Sequence, residues 1–184
     1  NPAVPTRTEL GYVSGVTSAI QTQIDLKAPL ASPTFTGTVV LPQLGASGWP
    51  SFSVHRNGVG QTPSGSTKVQ WTTEEFDTNN NFDNATNYRF LPTVAGKYLL
   101  TCTALCLTMS DGEDIVTMLY KNGAEYKRFN NTAARAAVSL SAGMSVVVDA
   151  NGTTDYFEVF VFADSNRVIS GNANQTHFTG CRIG

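Results

Sequence analysis

The sequence is poor in charge and in cysteine, and it contains no long apolar run. Only 14% of its 184 residues are charged, and the formal net charge is −2. A chain so close to neutral has no basic surface for nucleic acid or for an anionic membrane, so we expect neither partner. No run of about 18 apolar residues is present, and the N-terminus lacks the basic and apolar regions of a signal peptide. Membrane insertion is therefore not expected.

Three cysteines are too few for a disulfide framework. On one strand, Cys102 and Cys106 would share a face about 13 Å apart at ~3.3 Å per residue, which is too far for a bridge. Cys181 could in principle meet one of them, but buried free thiols fit the apolar context better. This composition is compatible with folding in a reducing cytosol.

The first organised stretch runs from Thr8 to Lys27 and predicts a helix with Thr8 as its N-cap. Its apolar or β-branched positions recur at spacings of 3 and 4 and form a narrow stripe. Such a stripe is typical of a coiled-coil seam, although packing of an amphipathic helix on a β domain is the alternative. We favour the coiled coil because Pro29 and Pro33 end the helix and direct the chain outwards. The helical seam residues are Leu10, Val13, Thr17, Ile20 and Ile24.

The next stretch, "LASPTFTGTVVLP", is Leu30 to Pro42 and predicts an extended neck. Phe35 and Val39 would lie on one apolar side of this segment and continue the seam. A single exposed strand has unpaired backbone groups, and equivalent strands of neighbouring chains would satisfy them around a common axis. We therefore divide the chain into an arm and coiled-coil helix at 1–28, a neck at 29–48 and a head at 49–184.

The head has short β segments separated by turn signals such as "NNNFDN", "SDGED", "KNG" and "SAG". This pattern predicts an all-β antiparallel sandwich or jelly roll. The predicted strands are 52–55, 67–76, 96–108, 115–121, 125–130, 134–140, 145–149, 156–163 and 176–182.

The stretch "VQWTTEEFDTNNNFDNATNYRFLPTVAGKYLL", Val69 to Leu100, resembles the central signature of C1q-like domains. "LYKNGAE", "SLSAGMSV" and "HFTGCRI" resemble later steps of the same family. Leu100, Cys102 and Met144 depart from its usual residues. The resemblance implies a jelly roll of the C1q and tumour necrosis factor type, and Trp71 and Phe90 are expected in its core.

The stretch Leu10 to Pro42 is similar to the recurring shaft segment of bacteriophage tail fibres, in which a short helical bundle leads into a Pro-Thr-Phe-Thr-Gly neck. Together the two resemblances imply a homotrimeric tail-fibre or receptor-binding protein of a virion, folded in the host bacterial cytoplasm. Its head would attach to a host-cell surface glycan or protein, and its shaft to other tail or baseplate proteins. The alternatives are a structural collar or baseplate protein and a polysaccharide depolymerase at the fibre tip.

Receptor contacts are expected in exposed loops and on polar or aromatic side chains of the head. Tyr126 is also a candidate for stacking on a sugar. The candidate contact residues are Asn79, Asn80, Asn81, Asp111, Glu113, Tyr126, Arg128 and Asn130.

The sequence contains only weak patterns for a catalytic or metal-binding site. Glu75 and Asp77 could share a strand face about 7 Å apart, a separation that permits glycosidase chemistry. Because Asp77 belongs to the structural signature, we expect no enzyme. The turn "SDGEDI" is a possible calcium cluster without the spacing of a dedicated loop. His55 and His177 have no partner at ligand spacing, so no zinc and no cofactor are expected.

Overall fold

The structure is a computed structural model that describes residues 4–11, 14–16, 19, 49–164 and 167–184. Its contacts divide the chain into two compact units, Asn1–Leu41 and Pro42–Gly184. In the part of the chain that is described, no helix is long and apolar enough to cross a membrane.

In the first unit, helix α1 spans Arg7–Gly11, and the Leu10 N–H donates to the Thr6 carbonyl over 3.0 Å. The helix thus begins before the predicted cap Thr8. The predicted helix from Thr8 to Lys27 is also not continuous, because Gly15 has a φ of 89° in a turn. Glycine adopts this left-handed conformation without the steric penalty of a Cβ.

Leu10 is 56% exposed in the single chain. The other seam residues lie outside the described residues, so the coiled coil and the neck stay predictions. These residues are Val13, Thr17, Ile20, Ile24, Phe35 and Val39.

Residues 49–164 and 167–184 of the second unit form eleven strands. They are β1 Ser51–His55, β2 Thr67–Lys68, β3 Thr73–Asp77, β4 Phe82–Asp83, β5 Arg89–Phe90, β6 Gly96–Met109, β7 Asp114–Lys121, β8 Ala124–Ala133, β9 Val138–Ala150, β10 Phe157–Ala163 and β11 His177–Arg182. One sheet has the order β3-β1-β11-β6-β9, and the second has the order β4-β5-β10-β7-β8, with β2 paired to β10. All pairings are antiparallel, and the predicted all-β jelly roll is confirmed.

Three details of the strand prediction were wrong. The predicted strand 134–140 begins only at Val138, because residues 135–137 form a bend. The predicted strand 67–76 is divided between the two sheets, because buried Val69 and Trp71 lie where the chain crosses from β2 to β3. The predicted turn "SAG" is part of β9, where Ala142 and Gly143 pair with Ala104 and Thr103. A continuous ladder with the long strand β6 outweighs the local turn preference of this glycine.

The core between the sheets is aromatic. Phe52 packs on Phe90 with ring centroids 4.5 Å apart and on Phe178 at 4.9 Å. Trp71 and Phe90 are buried, as predicted. A Cβ at Gly180 would lie 2.5 Å from the Phe52 ring, so this glycine permits the close approach of β11 to the core.

The three cysteines are free. Cys102 and Cys106 are buried in the core, and burial raises the pKa of the Cys106 thiol to about 11. Cys181, which was expected to be buried, is exposed because its side chain alternates with those of core residues along β11.

Candidate interaction surfaces

The sheet β3-β1-β11-β6-β9 has one side on the core, and along β6 the side chains that alternate with core residues point to the other side. We call this second side the open face. Cross-strand pairs place Thr101 beside Thr179 and Ser145, and Leu99 beside Cys181 and Val147. The open face consists of Ser51, Ser53, His55, Phe76, Leu99, Thr101, Thr103, Leu105, Ser141, Ser145, Val147, His177, Thr179 and Cys181.

None of these residues is Asp, Glu, Lys or Arg. The same alternation places the charged pair Lys97 and Asp149 at one end of the face, next to Leu99 and Val147. Phe76 and Val147 are 49% and 50% exposed there. The hydroxyls of Thr101 and Thr179 lie 2.6 Å apart and satisfy one another. The carboxylate of Glu75 reaches the β1 side of the face, where its Oε2 accepts a bond of 2.7 Å from the hydroxyl of Ser53, which is only 6% exposed. The middle of the face is therefore uncharged and partly apolar, which is unusual for the water-facing side of an antiparallel sheet.

A depression of about 180 Å³ lies in the open face. Phe76, Leu99 and Cys181 are among its lining residues. His55 and His177, which looked isolated in the sequence, are cross-strand neighbours nearby.

A second concavity, of about 370 Å³, lies beside the edge strand β4, and we call it the polar pocket. It is built by the loops that follow β3 and β5. Its lining residues are Asn80, Asn81, Phe82, Asp83, Asn84, Arg89, Leu91 and Thr93.

Asn81 holds the two loops of the polar pocket together. Its Nδ2 donates to the Asn79 carbonyl and to Thr93 Oγ1, each over 3.1 Å. The Asn81 carbonyl accepts a bond of 2.7 Å from the Leu91 N–H. Asn81 is only 5% exposed, so its predicted role as an exposed receptor contact was wrong. Its amide is engaged within the protein.

Asp83 is an anion fixed by the backbone. Its Oδ1 accepts bonds from the N–H groups of Thr86 (2.8 Å) and Ala85 (3.1 Å), and its Oδ2 accepts one from Asn87 Nδ2 (2.6 Å). These donors, the Thr86 N–H above all, lower the pKa of Asp83 to about 2. Asp77 has a similar role, since its carboxylate accepts from the Phe82 N–H over 2.7 Å and from the Asn79 N–H over 3.3 Å.

Three polar side chains of the pocket have no hydrogen-bond partner in the described part of the chain. Asn80 is exposed and has a φ of 52°, a conformation that asparagine tolerates better than most residues. Within the described ranges, the side chains of Asn80, Asn84 and Arg89 form no hydrogen bond. The guanidinium carbon of Arg89 lies 4.4 Å from the centroid of the Tyr156 ring, which orients this side chain by a cation–π contact.

The remaining predicted contacts lie elsewhere. Glu113 forms a bidentate pair with Arg167, at 2.6 Å to Nε and 2.8 Å to the second nitrogen. Asp111 is exposed in the same turn. Asp114 Oδ2 accepts from Asn131 Nδ2 over 2.9 Å, so Glu113 and Asp114 of the predicted calcium turn have separate partners. No three His, Cys, Asp or Glu side chains of the described residues form a metal-ion group.

Tyr126, Arg128 and Asn130 belong to β8, at the edge of its sheet opposite β4. Tyr126 is 43% exposed, and Arg128 is paired with Glu125 at 2.7 Å. The side chain of Asn130 lies outside the described part. The structure therefore does not bring the predicted contacts into one site, since they lie at opposite sheet edges and in the β6–β7 turn.

The sequence prediction missed Asp83, Asn84, Arg89 and the open face. The open face had a visible signal in "LLTCTALC", Leu99 to Cys106, where neither of the two alternating sets contains a charge. The pocket residues had no comparable signal, because strands β4 and β5 have only two residues each.

No protein-family model matches the chain, and a search of curated proteins gives no match. Solved structures do match. Murine APRIL shares 11% identity at a TM-score of 0.57 and covers 73% of this chain and 99% of its own. The globular domain of zebrafish complement 1qA protein shares 20% at 0.55, covering 73% and 97%. Eiger TNF from S. frugiperda shares 11% at 0.55, covering 74% and 93%. At these identities the matches show the fold alone, a jelly roll of the TNF and C1q type.

Proposed function

From a jelly roll of the TNF and C1q type with an uncharged open face, we propose that this chain is a homotrimeric, non-enzymatic receptor-binding protein. In the trimer, the open faces of three heads pack around a common axis. The N-terminal stretch Leu10 to Pro42, through its similarity to tail-fibre shafts, extends the proposal to a bacteriophage tail fibre that attaches the virion to a host-cell surface.

The open face is the observation that carries this proposal. Leu99, Thr101 and Leu105 are half-buried in the single chain, although they point away from the core. Burial of such residues against a protein surface is favourable, and no charge has to be desolvated at the centre. A second and third copy of the same face meet these requirements, and a closed ring leaves no copy uncovered.

Three heads on one shaft favour adhesion. Each additional head binds at a high effective concentration once the first is bound, so weak single contacts give long attachment. A collar or baseplate protein would need the same trimer but no receptor. A depolymerase would need a catalytic carboxylate pair, and Glu75 and Asp77 are engaged by Ser53 and by backbone N–H groups, respectively.

Light scattering after size-exclusion chromatography tests the trimer. We expect a mass of three times 19.7 kDa. Leu99→Glu places a carboxylate on the open face beside Cys181 and Val147 and should make the trimer dissociate at higher concentration. Val59→Glu is the control, because Val59 is 67% exposed and lies outside the open face. A monomeric wild-type chain, or equal dissociation of both variants, would contradict the proposed packing.

Incubation of the trimer with host bacteria and their purified surface polysaccharide tests the role. Retention on cells with an unshortened polymer is the outcome expected of an adhesin. Shortening of the polymer would identify a depolymerase, and absence of both effects would favour the collar or baseplate role.

A further inference from the structure

The polar pocket combines a fixed frame with unengaged hydrogen-bonding groups. Its frame is held by Asn81 and Asp83, whose side chains are engaged by the protein. Asn80, Asn84 and Arg89 line the same pocket without a hydrogen-bond partner among the described side chains and backbone. Three unengaged polar side chains in one half-enclosed concavity indicate a binding site for a polar ligand.

The functional groups of the pocket match sugar hydroxyls. Each asparagine amide offers one acceptor oxygen and two N–H donors, and the guanidinium of Arg89 offers several donors in a planar fork. A sugar hydroxyl both donates and accepts, so two adjacent hydroxyls can bond to an amide or a guanidinium edge at the same time. Leu91, which is half-buried, provides apolar surface in the same pocket for the C–H groups of a sugar ring.

The charge of the pocket favours a neutral sugar. Arg89 is a cation, while Asp83 is an anion that stays ionised above about pH 2. The two opposite charges leave no net attraction for an acidic sugar. The volume of about 370 Å³ is at the lower end of known ligand pockets, which suits one or two sugar rings rather than a folded protein loop.

We propose that the polar pocket binds a neutral sugar unit of a cell-surface glycan through Asn80, Asn84 and Arg89. This inference rests on the proposed adhesive function and assigns its ligand class. The binding of one sugar to one pocket is expected to be weak, and the trimer supplies the avidity.

Saturation-transfer NMR on the intact full-length protein tests the site with methyl glycosides of glucose, galactose, mannose and N-acetylglucosamine. We expect transfer to at least one glycoside. In Asn84→Ala and Arg89→Lys, Kd should rise about fivefold or more, because each loses hydrogen bonds to the sugar. Arg89→Lys keeps the charge but loses the planar fork.

Asn174→Ala and Arg135→Lys are matched controls, since Asn174 and Arg135 are exposed and lie outside the pocket. Their Kd should equal that of the wild type. Transfer to no glycoside, or equal Kd in pocket variants and controls with native circular dichroism, would overturn the assignment of the pocket.

Adhesion to cells separates the two proposals. If the trimer binds cells but no glycoside, or binds cells after their glycans are removed, the pocket assignment fails and the adhesive function stands. If neither the trimer nor adhesion is found, the proposed function itself fails.

Discussion

The side-chain amide of Asn81 joins the loop after β3 to the loop after β5, because it both donates a hydrogen bond to Thr93 and accepts one from it. Asn81 Nδ2 donates to Thr93 Oγ1 over 3.1 Å, and Asn81 Oδ1 accepts from the Thr93 N–H over 3.3 Å. Because this amide replaces a backbone partner for Thr93, the two walls of the polar pocket are positioned without a ligand. A preformed pocket avoids the entropic cost of ordering loops when it binds.

Asn81→Ala should lower the free energy of unfolding by about 1–3 kcal/mol, because it removes the hydrogen bonds that the amide forms with Asn79 and Thr93. Urea denaturation measures this change. Asn174→Ala is the control and should change stability by less than about 0.5 kcal/mol, since Asn174 is exposed. An Asn81→Ala protein as stable as the control would mean that the two loops are held by other contacts.

The reaction rate of the Cys181 thiol measures whether the open face is covered. Its thiol is exposed in the single chain, whereas Cys102 and Cys106 are buried. In the trimer we expect Cys181 to react slowly with an aromatic disulfide reagent, and in Leu99→Glu at low concentration we expect one fast thiol per chain. Cys181→Ser should abolish the fast reaction. Rapid labelling of a protein that light scattering shows to be trimeric would place the interface elsewhere.

The fold and much of the core could be predicted from the sequence because they depend on local patterns. The alternation along β6 can be recognised within one short stretch of sequence. The same holds for the buried aromatic residues Trp71 and Phe90, each within its own stretch. The resemblance to C1q-like domains adds the order of strands. These features need no knowledge of distant partners.

The roles of single loop residues could not be predicted, because their partners are distant in sequence. Glu113 looked like an exposed contact, but its partner Arg167 is 54 positions away. Asn81 looked equivalent to Asn80, and only the return of the chain at Thr93 makes one of them structural. A run of asparagines therefore predicts a loop without saying which amides face solvent.

The ion pair of Glu113 and Arg167 should stabilise the head more than the pair of Glu125 and Arg128. Both pairs are bidentate, but the side chain of Glu113 is 12% exposed, whereas that of Glu125 is 36% exposed on an edge strand. We expect Glu113→Gln to lower Tm by several degrees and Glu125→Gln to change it little. Scanning calorimetry of both variants checks this order, and an equal fall in Tm would show that burial does not decide the strength of these pairs.

The carboxylate of Asp83 should make the stability of the head depend on pH in the acid range. Its donors lower its pKa from 3.8 to about 2 in the folded protein. Since the folded pKa is depressed, the contribution is fully present above about pH 4 and is lost as the pH falls towards 2. In Asp83→Asn this part of the pH dependence should be absent, so the difference in unfolding free energy from the wild type should shrink between pH 4 and 2.

Asn87→Ala tests the cause of this dependence. It removes one donor, over 2.6 Å, and leaves the Thr86 N–H, which contributes most to the shift. The pH dependence should therefore decrease without disappearing. Urea denaturation at several pH values between 6 and 2 gives all three profiles. A wild-type profile that matches that of Asp83→Asn would mean that the backbone donors do not hold this carboxylate in solution, and that the wall of the pocket formed by residues 83–87 is not fixed.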